Sequence, residues 1–339
     1  MAIADYHASA GDWRAQLKKN QRRTRQVIAL FLLIYLLVGV VADTVMMSSM
    51  QPNLPIDQIF IGLLTFKYTP VATLIMVGLA IISLLITFTL YDRIMLLGTD
   101  YKEITPETAQ TIQEKQLYNV VEEMKVAAGL KFMPKVFLIN ADYMNAFASG
   151  YSEKSAMVAI TRGLIEKLDR AELQAVMAHE LSHIRHQDIK LTLAVAVLSN
   201  ILLIVIDILF YSIVFKRERR EDNRLLMVVM VLRYVLPIIT LLLTLFLSRT
   251  REYMADAGCV ELMRDNEPMA RALLKISQDH QQHAEQYAED YGQTPHEQVR
   301  QASYLFDPSS IDPVKSLSSS FSTHPSVEQR LKALGFKRK

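Results

Sequence analysis

Two histidines four residues apart bracket a glutamate in His179-Glu180-Leu181-Ser182-His183. On a helix that spacing projects both imidazoles from one face about 6 Å apart, which suits two corners of a tetrahedral zinc site. Glu180 lies about 100° round the helix from His179, so its carboxylate can reach a metal-activated water without being a ligand. The chemistry this allows is hydrolysis of an acyl bond, with the carboxylate as base. Such a site needs a third protein ligand and leaves one position open.

The motif must sit inside a helix to work, and the flanking residues provide one. Asp169 reads as the N-cap with Glu172 at the third helical position, a capping box, and Leu173, Val176, Met177, Leu181 and Ile184 form an apolar face at helical spacing. The next turn does not complete the ligand set. A third histidine of the H-E-x-x-H-x-x-G-x-x-H pattern would require Gly at 186 and His at 189, where the chain has His186 and Ile189. His186 shares the face of His179 but lies about 10 Å along the axis, too far to share one metal. It reads as a polar residue near a membrane surface.

Composition places this site beside a bilayer. Of 339 residues 51% are hydrophobic, and mean hydropathy is positive, which points to membrane segments. Four apolar runs, Val27–Ala42 (reaching Met47 if Asp43 lies at the interface), Val71–Tyr91, Ile189–Phe215 and Leu225–Ser248, predict four transmembrane helices. Arg14, Lys18, Lys19, Arg22, Arg23 and Arg25 precede the first run, while the loop after it carries only Lys67, so the N-terminus is expected in the cytoplasm. The long polar lead and the lack of a small-residue cleavage site argue against a signal peptide. One observation cuts against simple topology: the link from Lys216 to Arg224 is basic, although two full crossings put it on the side that avoids positive charge. The net charge of +2 gives no case for a nucleic-acid partner. Cys259 is the sole cysteine, which excludes an internal disulfide and a cysteine-based metal site.

Asp207 and Arg233 each interrupt a membrane run. Both lie about thirteen residues from Arg220, so an antiparallel hairpin brings them to one depth, where a lone charge costs at least about 2.5 kcal/mol. They are expected to pair.

The chain therefore divides into a cytoplasmic segment (1–26), a first hairpin (27–98), a soluble part with the histidine motif (99–188), a second hairpin (189–248) and a second soluble part (249–339). In the soluble part Thr105-Pro106-Glu107 reads as a helix start, carrying a helix to Gly129. Lys135–Asn140 and Ser155–Ile160 read as strands. Asn145-Ala146-Phe147-Ala148-Ser149-Gly150 between them reads as an ordinary loop, the other reading being a sheet edge whose small residues admit an extended peptide. The best third ligand is Glu252, which the second hairpin returns to the side of His183. Asp256, one turn on, can accept a hydrogen bond from the far nitrogen of a ligand histidine. Glu261 is a weaker rival, and Glu218 and Glu221 fall on the wrong side.

His179-Glu180-Leu181-Ser182-His183 followed by Glu252-x-x-x-Asp256, with an apolar hairpin between and two apolar runs before, resembles the HtpX-type membrane zinc metallopeptidases, relatives of the CAAX prenyl proteases. The resemblance runs over nearly the whole chain, including Asn145-Ala146-Phe147-Ala148, Thr323-His324-Pro325 and Arg330. It implies a mainly α membrane protein with four transmembrane helices and an α+β zincin-like (gluzincin) catalytic domain with a small sheet. It implies one Zn2+ per chain on His179, His183 and Glu252, with Glu180 as base and Asp256 supporting a ligand. Residues 145–148 would bind substrate, and His324 would orient it or stabilise the intermediate. Membrane proteins or their exposed loops would be cut at the cytoplasmic face of a bacterial inner membrane, in quality control under stress. Three alternatives remain: a scaffold or chaperone with a structural metal, a transporter using Asp207 and Arg233, and a prenyl-protein protease. Residues 278–321 match no pattern and could form a cover over the cleft; oligomeric state is not legible.

Overall fold

The computed structural model describes residues 3, 6–8, 13–51, 53–96, 99–150, 152–215, 224–287, 304–306 and 324–338. The link at 216–223, with Glu218 and Glu221, lies outside them, as do most of 278–321, Thr323 and Lys339. The chain forms two compact units, one of Arg25–Thr89 with Thr192–Thr244 and one of the remainder.

The first unit is helical. It contains most of α1 (Trp13–Met50), α2 (Ile56–Leu64), most of α3 (Val71–Leu96) and the apolar parts of α7 (Asp188–Phe215) and α8 (Arg224–Met263). Tyr35, Val38, Met76, Leu202, Ile206, Val229 and Leu236 form its core, while Leu32, Leu36, Leu37 and Ile86 leave more than half their surface outside. Large apolar side chains both inside and outside are what a lipid-facing bundle requires. By length and composition three helices can cross a membrane, Lys18–Met50, Ala194–Phe215 and Arg224–Met263; α3 carries a shorter apolar stretch, Val71–Thr87. Asp43 is buried and caps α3, accepting from Ala72 N (2.6 Å), Thr73 N (3.1 Å) and Thr73 Oγ1 (2.6 Å). A neighbouring helix thus supplies the acceptor that the first turn of α3 lacks. Arg233 Nε lies 2.9 Å from Asp207 Oδ1, and its guanidinium sits over the Phe210 ring at 4.1 Å.

The second unit holds a sheet in the order β2-β3-β5-β4, from β2 (Tyr101–Ile104), β3 (Lys135–Ile139), β4 (Ala146–Ser149) and β5 (Met157–Thr161). Central β5 is buried throughout, pairing in parallel with β3 and antiparallel with β4, so β4 is an edge. The loop reading of 146–149 is thereby overturned: long-range pairing with β5 makes this stretch a strand. The helix expected from Thr105 begins later. Thr105 and Thr108 close a turn on themselves, and α4 (Ile112–Ala128) starts at Thr111, whose capping box with Glu114 outcompetes the upstream proline signal. Gly129 ends α4 in the left-handed region (φ 70°). Then α5 (Arg162–Lys167) leads into α6 (Arg170–His186), which opens on the Asp169/Glu172 box. The unit closes with the end of α8, α9 (Glu267–Gln282), α10 (Val327–Ala333) and β6 (Phe336–Arg338), which pairs with β1 (Tyr6–Ala8).

Candidate active site

Two helices carry the site, and small residues let them meet. A Cβ on Gly258 of α8 would lie 2.5 Å from Ser182 Oγ of α6, and the next residue, Cys259, donates its thiol to the Ala175 carbonyl of α6 at 3.2 Å. That close approach sets Glu252 and Asp256 opposite His179 and His183. His179 Nε2 and His183 Nε2 stand 3.1 Å apart, and Glu252 oxygens lie 3.6 Å from each. Tetrahedral coordination with bonds of 2.0–2.1 Å requires ligand separations of about 3.3 Å. Among the described residues these three form the one His/Cys/Asp/Glu group suited to a metal ion. Glu261 instead pairs with Arg185 (3.1 Å), and the His186 ring packs beside Gly258, outside the cluster.

The far side of each imidazole explains why the Nε2 atoms face inward. His179 Nδ1 lies 3.0 Å from Asp256 Oδ1, and Arg330 grips both oxygens of that carboxylate at 2.6 and 3.0 Å. His183 Nδ1 lies 2.9 Å from Asp188 Oδ2, whose other oxygen is 3.5 Å from Arg251 Nε. Each imidazole therefore donates from Nδ1 to a carboxylate that an arginine holds, and presents the lone pair of Nε2 to the centre. Two buried lone pairs facing one another call for a cation between them. Burial opposes charge on His179, but hydrogen bonds to Asp256 and Glu252 outweigh it and raise its pKa to about 9.

Asp188 and Arg251 escaped the sequence reading. In a helix running unbroken from α6 into α7, a residue five positions after His183 would point about 140° away. Gln187 breaks the helix in the left-handed region (φ 54°), which folds Asp188 back onto the ring. The legible signal was an aspartate opening an apolar helix, a favoured place for a negative charge.

Glu180 lies in this cluster with 1% exposure, and neither carboxylate oxygen has a hydrogen-bond partner among the described residues. Burial raises its pKa against the pull of His179, His183 and Arg330. His324 Nδ1 and Arg330 Nη1 approach Glu252 Oε2 at 3.6 and 3.5 Å. Residues 145–148 border the sheet, but the chain itself engages part of them: the Asn145 amide bonds both main-chain groups of Phe306, and Ala146 O accepts from Leu305 N at 2.8 Å. In the β4–β5 register, with Thr161 N donating to Asn145 O, the main chains of Ala146 and Ala148 face away from β5.

This arrangement can be set beside known proteins. Residues 111–336 match the model of Peptidase family M48. The chain belongs to peptidase family M48. Over most of its length it is also similar to HtpX protease homologues. The one from Helicobacter pylori strain J99 is 39% identical over 318 residues, covering 94% of this chain and 96% of the relative. That from Streptococcus uberis is 32% identical over 328 residues (94% and 98%). The crystal structure of S. mikatae Ste24p aligns at a TM-score of 0.48 with 22% identity, covering 77% of this chain and 57% of that one. As an M48 member with these relatives and three helices of spanning length, the protein is a membrane protease.

Proposed function

We propose that the protein is a zinc endopeptidase that cuts membrane proteins or their exposed loops. The observation that carries this reading is the pair of inward-facing imidazole nitrogens, 3.1 Å apart, beside the carboxylate of Glu180, which has no hydrogen-bond partner among the described residues. His179, His183 and Glu252 would hold one zinc ion per chain. When bound, zinc supplies a Lewis acid for the scissile carbonyl and lowers the pKa of water from about 15.7 toward 7. Glu180 takes the proton of the attacking water and returns it to the leaving amine nitrogen as the C–N bond breaks. Its raised pKa suits both transfers, because the carboxylate can hold the proton between them. Asp256 and Asp188 keep the two imidazoles in the tautomer that leaves Nε2 bare. His324, beside Glu252, orients the substrate, and the outward main chain of Ala148 offers it a strand partner.

In this proposal α3 is the fourth span. His183 and Glu252 adjoin the ends of the apolar runs in sequence, and the basic N-terminal cluster supports a cytoplasmic position for that side, at a bacterial inner membrane in this reading. From the family resemblance we also assign a quality-control role under stress. A structural metal would have no use for a buried carboxylate such as Glu180 beside it. The test compares purified full-length wild type with Glu180→Gln in detergent, measuring bound zinc and cleavage of an unfolded membrane protein. Equal zinc content, with cleavage by the wild type alone, supports the assignment. Zinc without cleavage by either form refutes the peptidase mechanism, and absence of zinc refutes the ligand set.

A further inference from the structure

Tyr304-Leu305-Phe306 lies against the edge strand of the sheet, with each residue no more than 5% exposed. The main-chain groups of Leu305 and Phe306 are all bound. Leu305 N donates to Ala146 O (2.8 Å), and Leu305 O accepts from Arg330 Nη1 (2.7 Å). Asn145 Nδ2 donates to Phe306 O (2.9 Å), while Asn145 Oδ1 accepts from Phe306 N (3.2 Å) and from Ala146 N (3.0 Å). The side chains are seated as well: Tyr304 against Phe147 (5.8 Å between centroids) and Phe306 against His280 (4.6 Å).

These contacts form a continuous line from the sheet to the centre. Ala146 holds the Leu305 amide, the Leu305 carbonyl holds Arg330, Arg330 holds both oxygens of Asp256, and Asp256 holds His179 Nδ1. A buried guanidinium needs its donors matched in a fixed geometry, so the Leu305 carbonyl settles where Arg330 can lie.

We propose that Asn145 is a positioning residue that acts on the chain's own Leu305–Phe306 peptide rather than on substrate. By clamping that peptide it fixes Arg330 and, through Asp256, the ring of His179. Substrate pairing on this edge is then left to Ala148. The inference rests on the metallopeptidase reading for its kinetic consequence, but its structural consequence, the affinity of the histidine site for zinc, does not depend on turnover.

The experiment uses the full-length protein in detergent and measures zinc affinity by chelator competition, kcat, KM and melting temperature. Asn145→Asp keeps the acceptor and loses the donor to Phe306 O. Leu305→Pro removes the N–H that Ala146 accepts, whereas Leu305→Ala keeps both main-chain groups. Asn145→Asp and Leu305→Pro are expected to weaken zinc binding about tenfold. Both should lower kcat with KM unchanged within about twofold. Leu305→Ala lowers the melting temperature but leaves zinc affinity within about twofold of wild type, since its main chain still holds Arg330. A rise in KM for Asn145→Asp with unchanged kcat and zinc affinity overturns the proposal, because Asn145 then meets substrate directly. Equal loss of zinc affinity in Leu305→Ala and Leu305→Pro also overturns it, as general loosening. If the wild type cleaves nothing, the peptidase reading fails while the zinc affinities still decide the clamp; should Asn145→Asp not fold, the Leu305 pair decides alone.

Discussion

Replacing Asp188 should weaken metal binding although Asp188 is not a ligand. Its carboxylate accepts from His183 Nδ1 at 2.9 Å and lies 3.5 Å from Arg251 Nε, with 3% of the residue exposed. A buried hydrogen bond to a charged group contributes about 1.5–3 kcal/mol. At about 1.4 kcal/mol per factor of ten, losing it costs roughly 10- to 100-fold in affinity, the range seen when residues supporting a metal ligand are removed. In Asp188→Ala the His183 ring is free to turn or to take the other tautomer, which places a proton on Nε2. Asp188→Asn keeps an acceptor for Nδ1 but then sets its amide N–H₂ against Arg251, so its loss should fall between wild type and alanine. Zinc affinity is measured by competition with a chromophoric chelator, alongside circular dichroism to confirm that both variants are folded. A folded Asp188→Ala protein that binds zinc within about twofold of wild type would refute the claim that this hydrogen bond orients the ligand.

Three further outcomes follow from the geometry. Gln187→Gly should leave zinc affinity unchanged and hold or raise the melting temperature. Gln187→Val should destabilise by about 1–2 kcal/mol, because a β-branched residue is strained at φ 54°; equal melting temperatures would remove the break from the argument. His280 is buried and its pKa is lowered to about 4 by desolvation, so the unfolded chain binds more protons than the folded one between about pH 6.5 and 4. Stability from the neutral ring is present above that window and is lost as pH falls through it, by on the order of 2 kcal/mol at pH 5; His280→Phe should flatten this slope in melts at pH 7 and pH 5, and an unchanged slope would exclude His280 as its source. Asp43→Ala strips the cap from α3 and should cost about 0.5–2 kcal/mol in detergent unfolding, with Asp43→Asn costing less because an acceptor remains; identical unfolding curves would show that the contacts to Ala72 and Thr73 contribute nothing.

What the sequence determined by itself was local. The one-turn spacing of His179 and His183, the same spacing of Glu252 and Asp256, the Asp169/Glu172 capping box and the apolar runs are all fixed by helix periodicity, which needs no knowledge of the partner. The pairing of Asp207 with Arg233 was legible too, since hairpin symmetry and the cost of a lone intramembrane charge point to one solution. Only tertiary structure decided the rest. Gln187 in the left-handed region turned Asp188 onto His183, a reversal that periodicity predicts against. Residues 146–149 became a strand because β5 lay beside them, and the Leu305 amide reached Ala146 across a long stretch of chain. Asp43, read as an interfacial break in an apolar run, became the cap of another helix. For the strand, the Leu305 amide and Asp43 the deciding partner is a main-chain group distant in sequence, and buried polar groups take whichever partner the packing brings near.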